Sequence, residues 1–267
     1  MSLEVKDLTI DIDGVRAVDG ITFSVEDGAR VGIIGESGSG KSLTALAITG
    51  LLPEGAVATG SVRWNGRELL NIPDREIAEI RGDEIGVVFQ EPQTALNPIR
   101  TVGRQIAESI NIHERLTKPE LNRRAIAEAA RVRLPSPDSI VKRFPHQLSG
   151  GQRQRVAIAI ALAAGPRLLI ADEPTTALDV TIQAEVLALL DDLVSHDGMS
   201  LIFITHDLAV LSQVASRGVV LADGKIVEQA AVADLLTKPQ SAVAKGLLRD
   251  ATATVWRPAR ASGAADD

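Results

Sequence analysis

Eight consecutive residues constrain this chain more than any others. Gly35-Glu36-Ser37-Gly38-Ser39-Gly40-Lys41-Ser42 fits the pattern GxxxxGK(S/T). Glycines in such a run let the backbone curl, so that successive N–H groups point at phosphate oxygens, at the positive end of the helix that follows. Lys41 has the reach for the outer phosphates, and the Ser42 hydroxyl is small enough to ligate Mg²⁺. The flanks agree with this reading rather than with a flexible Gly/Ser linker. A compact β-branched run, Ala29 to Ile34, predicts a strand before the loop, and Leu43 to Leu52 carries helical apolar content closed by Pro53.

A phosphate loop needs a second element to hold the metal and to prepare water. Leu168-Leu169-Ile170-Ala171-Asp172-Glu173 supplies an apolar strand ending in two adjacent acids. An Asp at such a strand end helps hold Mg²⁺, and Glu173 is then placed to orient or deprotonate the attacking water. Hydrolysis of ATP or GTP is the expected reaction class.

The rest of the chain builds around these two segments. Leu3, Val5, Leu8, Ile10 and Ile12 nearly alternate with polar residues, as do Ile21, Phe23 and Val25, and Thr59 to Trp64 with Asn65-Gly66 predicts a hairpin. Ile85 to Phe89 has the pattern of a buried strand. From Pro92 to about Phe144 strand-like runs vanish, while Thr101 to Ile112 and Lys118 to Arg131 have helical spacing and many charges. This stretch is expected to be a helical subdomain inserted in an α/β core. The core resumes with the helix Ile182 to Val194 and the strands Ser200 to Ile204, Gly218 to Leu221 and Lys225 to Glu228. After about Leu248 periodicity is lost, and a frayed tail is expected.

Composition removes other classes. With 267 residues, 45% of them hydrophobic, the chain can bury a substantial core. Aromatics are only 2%, with no Tyr, so that core is aliphatic and stacking platforms for single-stranded nucleic acid are scarce. A net charge of −7 gives no chain-wide basic footprint for DNA, and no nucleic-acid partner is expected. Zero Cys excludes disulfides, Cys-ligated zinc and Fe–S clusters in this chain. The charged N-terminus does not read as a signal peptide, and the longest apolar run, Val156 to Ala164, is too short to span a bilayer. A soluble chain is expected.

Between the two phosphate segments lies Leu148-Ser149-Gly150-Gly151-Gln152-Arg153-Gln154-Arg155, a second potential anion-binding helix start. Such a loop makes sense if it covers a nucleotide bound by a partner. LSGGQ resembles the signature of ATP-binding cassette (ABC) ATPases, and the motif order is similar over residues 1–235. The order runs GESGSGKS at 35–42, Gln90, LSGGQRQR at 148–155, LLIADEP at 168–174, ALD at 177–179 and His206 after a strand. The resemblance implies an α/β fold: a P-loop NTPase (RecA-like) core with an N-terminal antiparallel β subdomain. It also implies a helical subdomain inserted at about 92–165, and a short, partly disordered C-terminal segment at 236–267.

The same resemblance implies a head-to-tail dimer with two ATP molecules between subunits. Residues 35–42 would hold ATP with Mg²⁺, the metal bound through Ser42, Gln90 and Asp172. Ser149, Gly150, Gly151 and Gln152 of the opposite subunit would close the site, with Asp179 communicating across the interface. Glu173 would be the general base, Gln90 a sensor of Mg²⁺ and water, and His206 a switch at the γ-phosphate. Many members carry an adenine-stacking aromatic near the position of Ile12; this chain has none there, so adenine selectivity is expected either to be weaker or to rest on aliphatic contacts.

A closer resemblance lies in Gln90-Glu91-Pro92-Gln93-Thr94-Ala95-Leu96-Asn97-Pro98, Phe144-Pro145-His146-Gln147 and Thr175-Thr176-Ala177-Leu178-Asp179-Val180-Thr181. These look like the ATPase subunits of dipeptide, oligopeptide and nickel importers. That likeness implies a peripheral protein on the cytoplasmic face of the membrane, with two permease subunits and a second ATPase, identical or paralogous. An extracytoplasmic binding protein would deliver the solute. Two other readings are a soluble ABC ATPase acting on ribosomes or DNA, and the cassette of an exporter. The single cassette, the modest insert and the lack of a fused membrane domain argue against them.

Overall fold

The apolar positions of the first strand switch parity, odd at Leu3 and Val5 but even at Leu8 and Ile10, yet all four side chains are buried. The computed structural model, which describes residues 1–90, 95–176 and 178–253, shows how. Strand β1 (Leu3–Ile12) pairs antiparallel with β2 (Val15–Val25) and β4 (Ala56–Trp64), and both registers shift between Val5 and Thr9. Asp7 there takes φ 48, so one extra residue is absorbed as a bulge and the inward face is preserved. The neighbouring strand accommodates it through Gly60, where a Cβ would stand 2.4 Å from the Asp7 carbonyl oxygen. With β5 (Arg67–Glu68) these strands form a four-stranded antiparallel sheet in the order β2-β1-β4-β5.

A second sheet holds β3 (Arg30–Gly35), β6 (Ile85–Val88), β7 (Leu168–Asp172), β8 (Ser200–Thr205), β9 (Arg217–Ala222) and β10 (Lys225–Ala231). Its order is β10-β9-β3-β8-β7-β6, parallel except for β10. Both faces of this sheet are covered, which is why β7 and β8 are continuous apolar runs. Leu168, Ile170, Ile202 and Ile204 pack toward the antiparallel sheet with Trp64 and Ile48. Leu169, Ala171, Leu201 and Phe203 pack toward the helices on the other side.

Two helices lie between the sheet strands in the first third: α1 (Lys41–Thr49), ended by Gly50, and the short α2 (Asp74–Ala78). Between β6 and β7 every described regular element is helical: α3 (Val102–His113), α4 (Lys118–Arg131), α5 (Pro137–Ile140), a 3₁₀ turn (Pro145–Gln147) and α6 (Gly150–Leu162). α4 starts with a capping box, Thr117 N–H donating to Glu120 Oε2 at 2.8 Å. The insert shares one apolar cluster with the sheet, so Val102, Ile106, Ala129 and Val156 are continuous with Leu169 and Phe203.

After β7 come α7 (Val180–Asp197) and α8 (Leu208–Val214). Acids along α7 tie it to the insert: Glu185 to Arg155 at 2.7 Å, Asp192 to Arg133 and Asp197 to Arg131. On the sheet side Asp191 meets Arg30, which also donates to Ser195 Oγ at 2.6 Å.

The C-terminal region departs from expectation. α9 (Val232–Thr237) is followed by α10 (Ala242–Ala253), which continues past Leu248. Ala244 and Leu247 are buried in the main cluster, with Val243, Leu248 and Ala251 packed against it. Positions 243, 244, 247, 248 and 251 form one helical stripe, and its burial rather than local propensity holds this segment. Residues 254–267, the rest of the expected tail, lie outside the described residues.

Candidate active site

In a parallel sheet the loops at the carboxyl ends of the strands share one edge. Here the order β3-β8-β7-β6 brings together the phosphate loop after β3, His206 after β8, Asp172 and Glu173 at the end of β7, and Gln90 after β6.

The loop 35–42 is folded on the body of the protein. Gly40 takes φ 97, and a Cβ there would stand 2.9 Å from Val18 Cγ2 and 3.0 Å from the Ala17 carbonyl oxygen, so only glycine fits. Glu36, Ser37 and Gly38 are exposed, whereas Gly35, Ser39, Gly40 and Lys41 are buried. Lys41 is 5% exposed as a residue, and its ammonium donates to the carbonyl oxygens of Gly35 at 2.9 Å and Glu36 at 2.8 Å. Burial pulls its pKa below the ordinary lysine value, while the nearby charges of Glu173 and Asp172 push it back up. A cation is thus held inside the loop.

Asp172 is buried beside this cation. Burial raises its carboxyl above the usual range, opposed by a hydrogen bond from Ser42. Its Oδ1 is buried with no hydrogen-bond partner, as is Ser39 Oγ. Unpartnered buried oxygens are rare in native proteins and indicate a site built for another group.

Glu173 is the hub. It takes φ 44, a left-handed conformation costly for a side-chain-bearing residue, and its N–H donates to the Ile204 carbonyl at 3.0 Å. The carboxylate Oε2 accepts from Gln90 Nε2 at 3.1 Å and from Thr176 Oγ1 at 2.9 Å, and Oε1 lies 3.2 Å from His206 Nδ1. The Glu173 side chain is 12% exposed and that of His206 61%, so the imidazole covers the carboxylate from the solvent side. The next residue, Asp207, caps α8 by accepting from Ala209 N–H at 2.7 Å. Thr176, named in the sequence only as part of the segment 175–181, and Asp207, not named there, were given no role. Thr176 three residues past Glu173 is a turn spacing, and Asp207 before an apolar run is a helix-start signal.

A second group sits at the start of α6. Ser149 is its N-cap: Ser149 Oγ accepts from Gln152 N–H at 3.3 Å, and Gln152 Oε1 accepts from Ser149 N–H at 3.1 Å. Arg153 Nη1 donates to the Leu148 carbonyl at 2.9 Å. Upstream, Gln147 Oε1 accepts from Phe144 N–H at 2.9 Å. Asp179 caps α7, accepting from Ile182 N–H at 3.0 Å, and Ile182 Cγ2 would be 2.6 Å from a Cβ on Gly151. The side chain of Leu178 similarly lines Gly150. The structure therefore assembles two clusters, 35–42 with 90, 172–173 and 206, and 149–152 with 179. Among the described residues no hydrogen bond joins one cluster to the other. Of the segment 90–98, residues 91–94 lie outside the described residues, as does Ala177; Asn97 is tied to α3 by Gln105 Oε1, which accepts its N–H at 2.8 Å.

This arrangement is that of a P-loop nucleotidase, and the comparisons define the class. Residues 18–176 match the family model described as ABC transporter. The probable peptide ABC transporter ATP-binding protein y4tR of Sinorhizobium fredii is 46% identical over 252 residues, covering 92% of this chain and 75% of that protein. The oligopeptide transport ATP-binding protein OppD of Bacillus subtilis is 46% identical over 252 residues, 92% of this chain and 70% of that one. Among solved structures, the dimeric ATP-binding cassette MJ0796 bound to ADP and Pi superposes with a TM-score of 0.77 at 31% identity. The match covers 86% of this chain and 98% of that one.

The chain belongs to the ABC transporter family. It has the P-loop NTPase fold and is the ATP-binding, ATP-hydrolysing type of subunit, which works in association with membrane components.

Proposed function

We propose that this chain powers uptake of peptides or a related small solute through separate permease subunits, from the cytoplasmic face of the membrane. The observation that carries the hydrolytic part is the Glu173 hub, a carboxylate accepting from Gln90 and Thr176 and covered by His206 beside the buried Lys41. The cargo class rests on the likeness to proteins named for peptide and oligopeptide transport.

ATP binds with its β- and γ-phosphates in loop 35–42, the Lys41 ammonium serving as the fixed positive charge. The unpartnered Asp172 Oδ1 next to the Ser42 hydroxyl fits a hard, oxygen-seeking cation, so Ser42 and Asp172, with Gln90, would hold Mg²⁺. That ion supplies neutralisation of phosphate charge. Glu173 takes a proton from water as the water oxygen bonds to the γ-phosphorus and the bond to the ADP oxygen breaks. Gln90 and Thr176 hold one carboxylate oxygen and His206 faces the other, which keeps the group in one orientation.

Ser149, Gly150, Gly151 and Gln152 act across an interface, on ATP bound by a second cassette. Asp179 relates the two sites through α7. ATP bridges the subunits, and hydrolysis removes the bridge, so closed and open forms differ by nucleotide contacts. An apolar groove of about 330 Å³ lies beside the edge strand β6, one residue from Gln90, where Phe89 is 39% and Ile112 74% exposed. This groove suits a short amphipathic permease segment, so closure of the cassettes pulls on the membrane partner.

The test is co-purification. Tagged Glu173→Gln chain recovered with ATP from detergent-solubilised membranes should retain two polytopic permeases and a second ATPase. Liposomes bearing the same complex with Glu173 restored, together with the cognate binding protein, should take up labelled oligopeptide, whereas those bearing the Glu173→Gln complex should not. Recovery only on ribosomes or nucleic acid would overturn the reading.

A further inference from the structure

Aromatic rings are so scarce in this protein that their placement is informative. Phe23, Trp64 and Phe203 are in the cores, and Phe89 lies on the groove side. The remaining described phenylalanine, Phe144, stacks on His146, with ring centroids 5.7 Å apart and planes inclined by 11°. His146 is exposed, so the face of its imidazole turned away from Phe144 opens to solvent.

This pair is held firmly. Pro145 between the two rings is buried, Gln147 Oε1 accepts from Phe144 N–H at 2.9 Å, and the buried Leu148 anchors the next residue. His146 lies three positions before Ser149, a span of at most about 10 Å. That is comparable to the distance from the terminal phosphate of a nucleotide, across its ribose, to the base. A planar purine gains most by continuing a parallel stack, and two nearly parallel rings present such a face.

We propose that the Phe144–His146 stack of one subunit is a platform for the base of the nucleotide held in loop 35–42 of a second copy. The inference rests on the shared-site reading above, and it extends contact across the interface from the phosphates to the base. Because stacking tolerates any base, the platform adds affinity for a purine nucleotide without choosing between adenine and guanine.

The experiment uses the full chain carrying Glu173→Gln, with Mg²⁺ and ATP, and follows dimer formation by sedimentation. His146→Ala should raise the ATP concentration for half-maximal dimer about tenfold, the worth of one base stacked on one ring. His146→Trp should restore it. ATP binding to a subunit kept monomeric by Ser149→Arg should be the same with either residue at 146. Unchanged dimerisation in His146→Ala, or a Trp variant as poor as the Ala variant, overturns the platform while leaving the shared site standing. If the Glu173→Gln parent stays monomeric with ATP, pairing of two copies is itself wrong and the platform falls with it.

Discussion

Replacing Glu173 by Gln separates chemistry from architecture, because the hydrogen-bond network dictates how the amide must sit. Oε2 accepts from both Gln90 Nε2 and Thr176 Oγ1, so the amide oxygen has to take its place. The amide nitrogen then falls where Oε1 was, 3.2 Å from His206 Nδ1, which accepts if its proton is on Nε2. Every bond of the hub survives, and stability should stay within about 1 kcal/mol of the parent. What is lost is proton acceptance from water, a general-base contribution of about 10²–10⁴ in rate, or roughly 3–5 kcal/mol of barrier. Single-turnover phosphate release should therefore slow by at least about a hundredfold, while equilibrium titration gives the parent's ATP affinity. Release within a few-fold of the parent would remove Glu173 from the base role. A large fall in Tm would refute the network argument.

Three further outcomes are expected. Lys41→Ala should weaken ATP binding itself, by tenfold or more on the scale of a charge-assisted contact worth about 1.5–3 kcal/mol; equilibrium titration that returned the parent's affinity would contradict the role given to the caged ammonium. Gly86→Ala should lower Tm by about 5–10 °C, since a Cβ would stand 2.4 Å from the Ala161 carbonyl and overpacking costs about 1–3 kcal/mol; a neutral thermal melt would refute the rigid fit of β6 on α6. Burial holds the Glu128 carboxyl above the usual range despite Arg131, so the folded state binds that proton more tightly than the unfolded chain. At neutral pH the ionised group is then a destabilising one, and Glu128→Gln should melt higher than the parent at pH 7, with the difference shrinking as pH falls through the carboxylate range. A difference of opposite sign, or one independent of pH, would count against it.

The legible parts of the fold are those set by local pattern. The runs Leu168 to Ala171 and Ser200 to Ile204 read as core strands and are β7 and β8, and the helical spacing of 101–112 and 118–131 survives as α3 and α4. Asp7 was not legible as a bulge from propensity; its signal was the odd-to-even switch between Val5 and Leu8. α8, α9 and α10 are short or Ala-rich and owe their order to burial, which one-dimensional spacing reports weakly. At the site, Lys41, Asp172 and Glu173 announce themselves by type and context. That Gln90 bonds Glu173 across 83 residues follows only once β6 is known to lie beside β7. Thr176 was named only as part of the segment 175–181 and its bond to Glu173 was not legible, because a threonine in a turn has many ordinary uses.

The back-to-back caps ahead of α6 bear on timing. Residues 144–153 are fixed by their own chain, Gln147 closing on Phe144, Gln152 on Ser149 and Arg153 on Leu148. Ordering a residue costs about 1–2 kcal/mol, and here that cost falls on folding rather than on encounter. In the proposed shared-site pair, two such subunits would meet as preformed surfaces, at the roughly 10⁵–10⁷ M⁻¹s⁻¹ of ordinary docking. The lifetime of that closed pair would then be governed by how long the nucleotide keeps its terminal phosphate, with no slow rearrangement of these residues in the cycle.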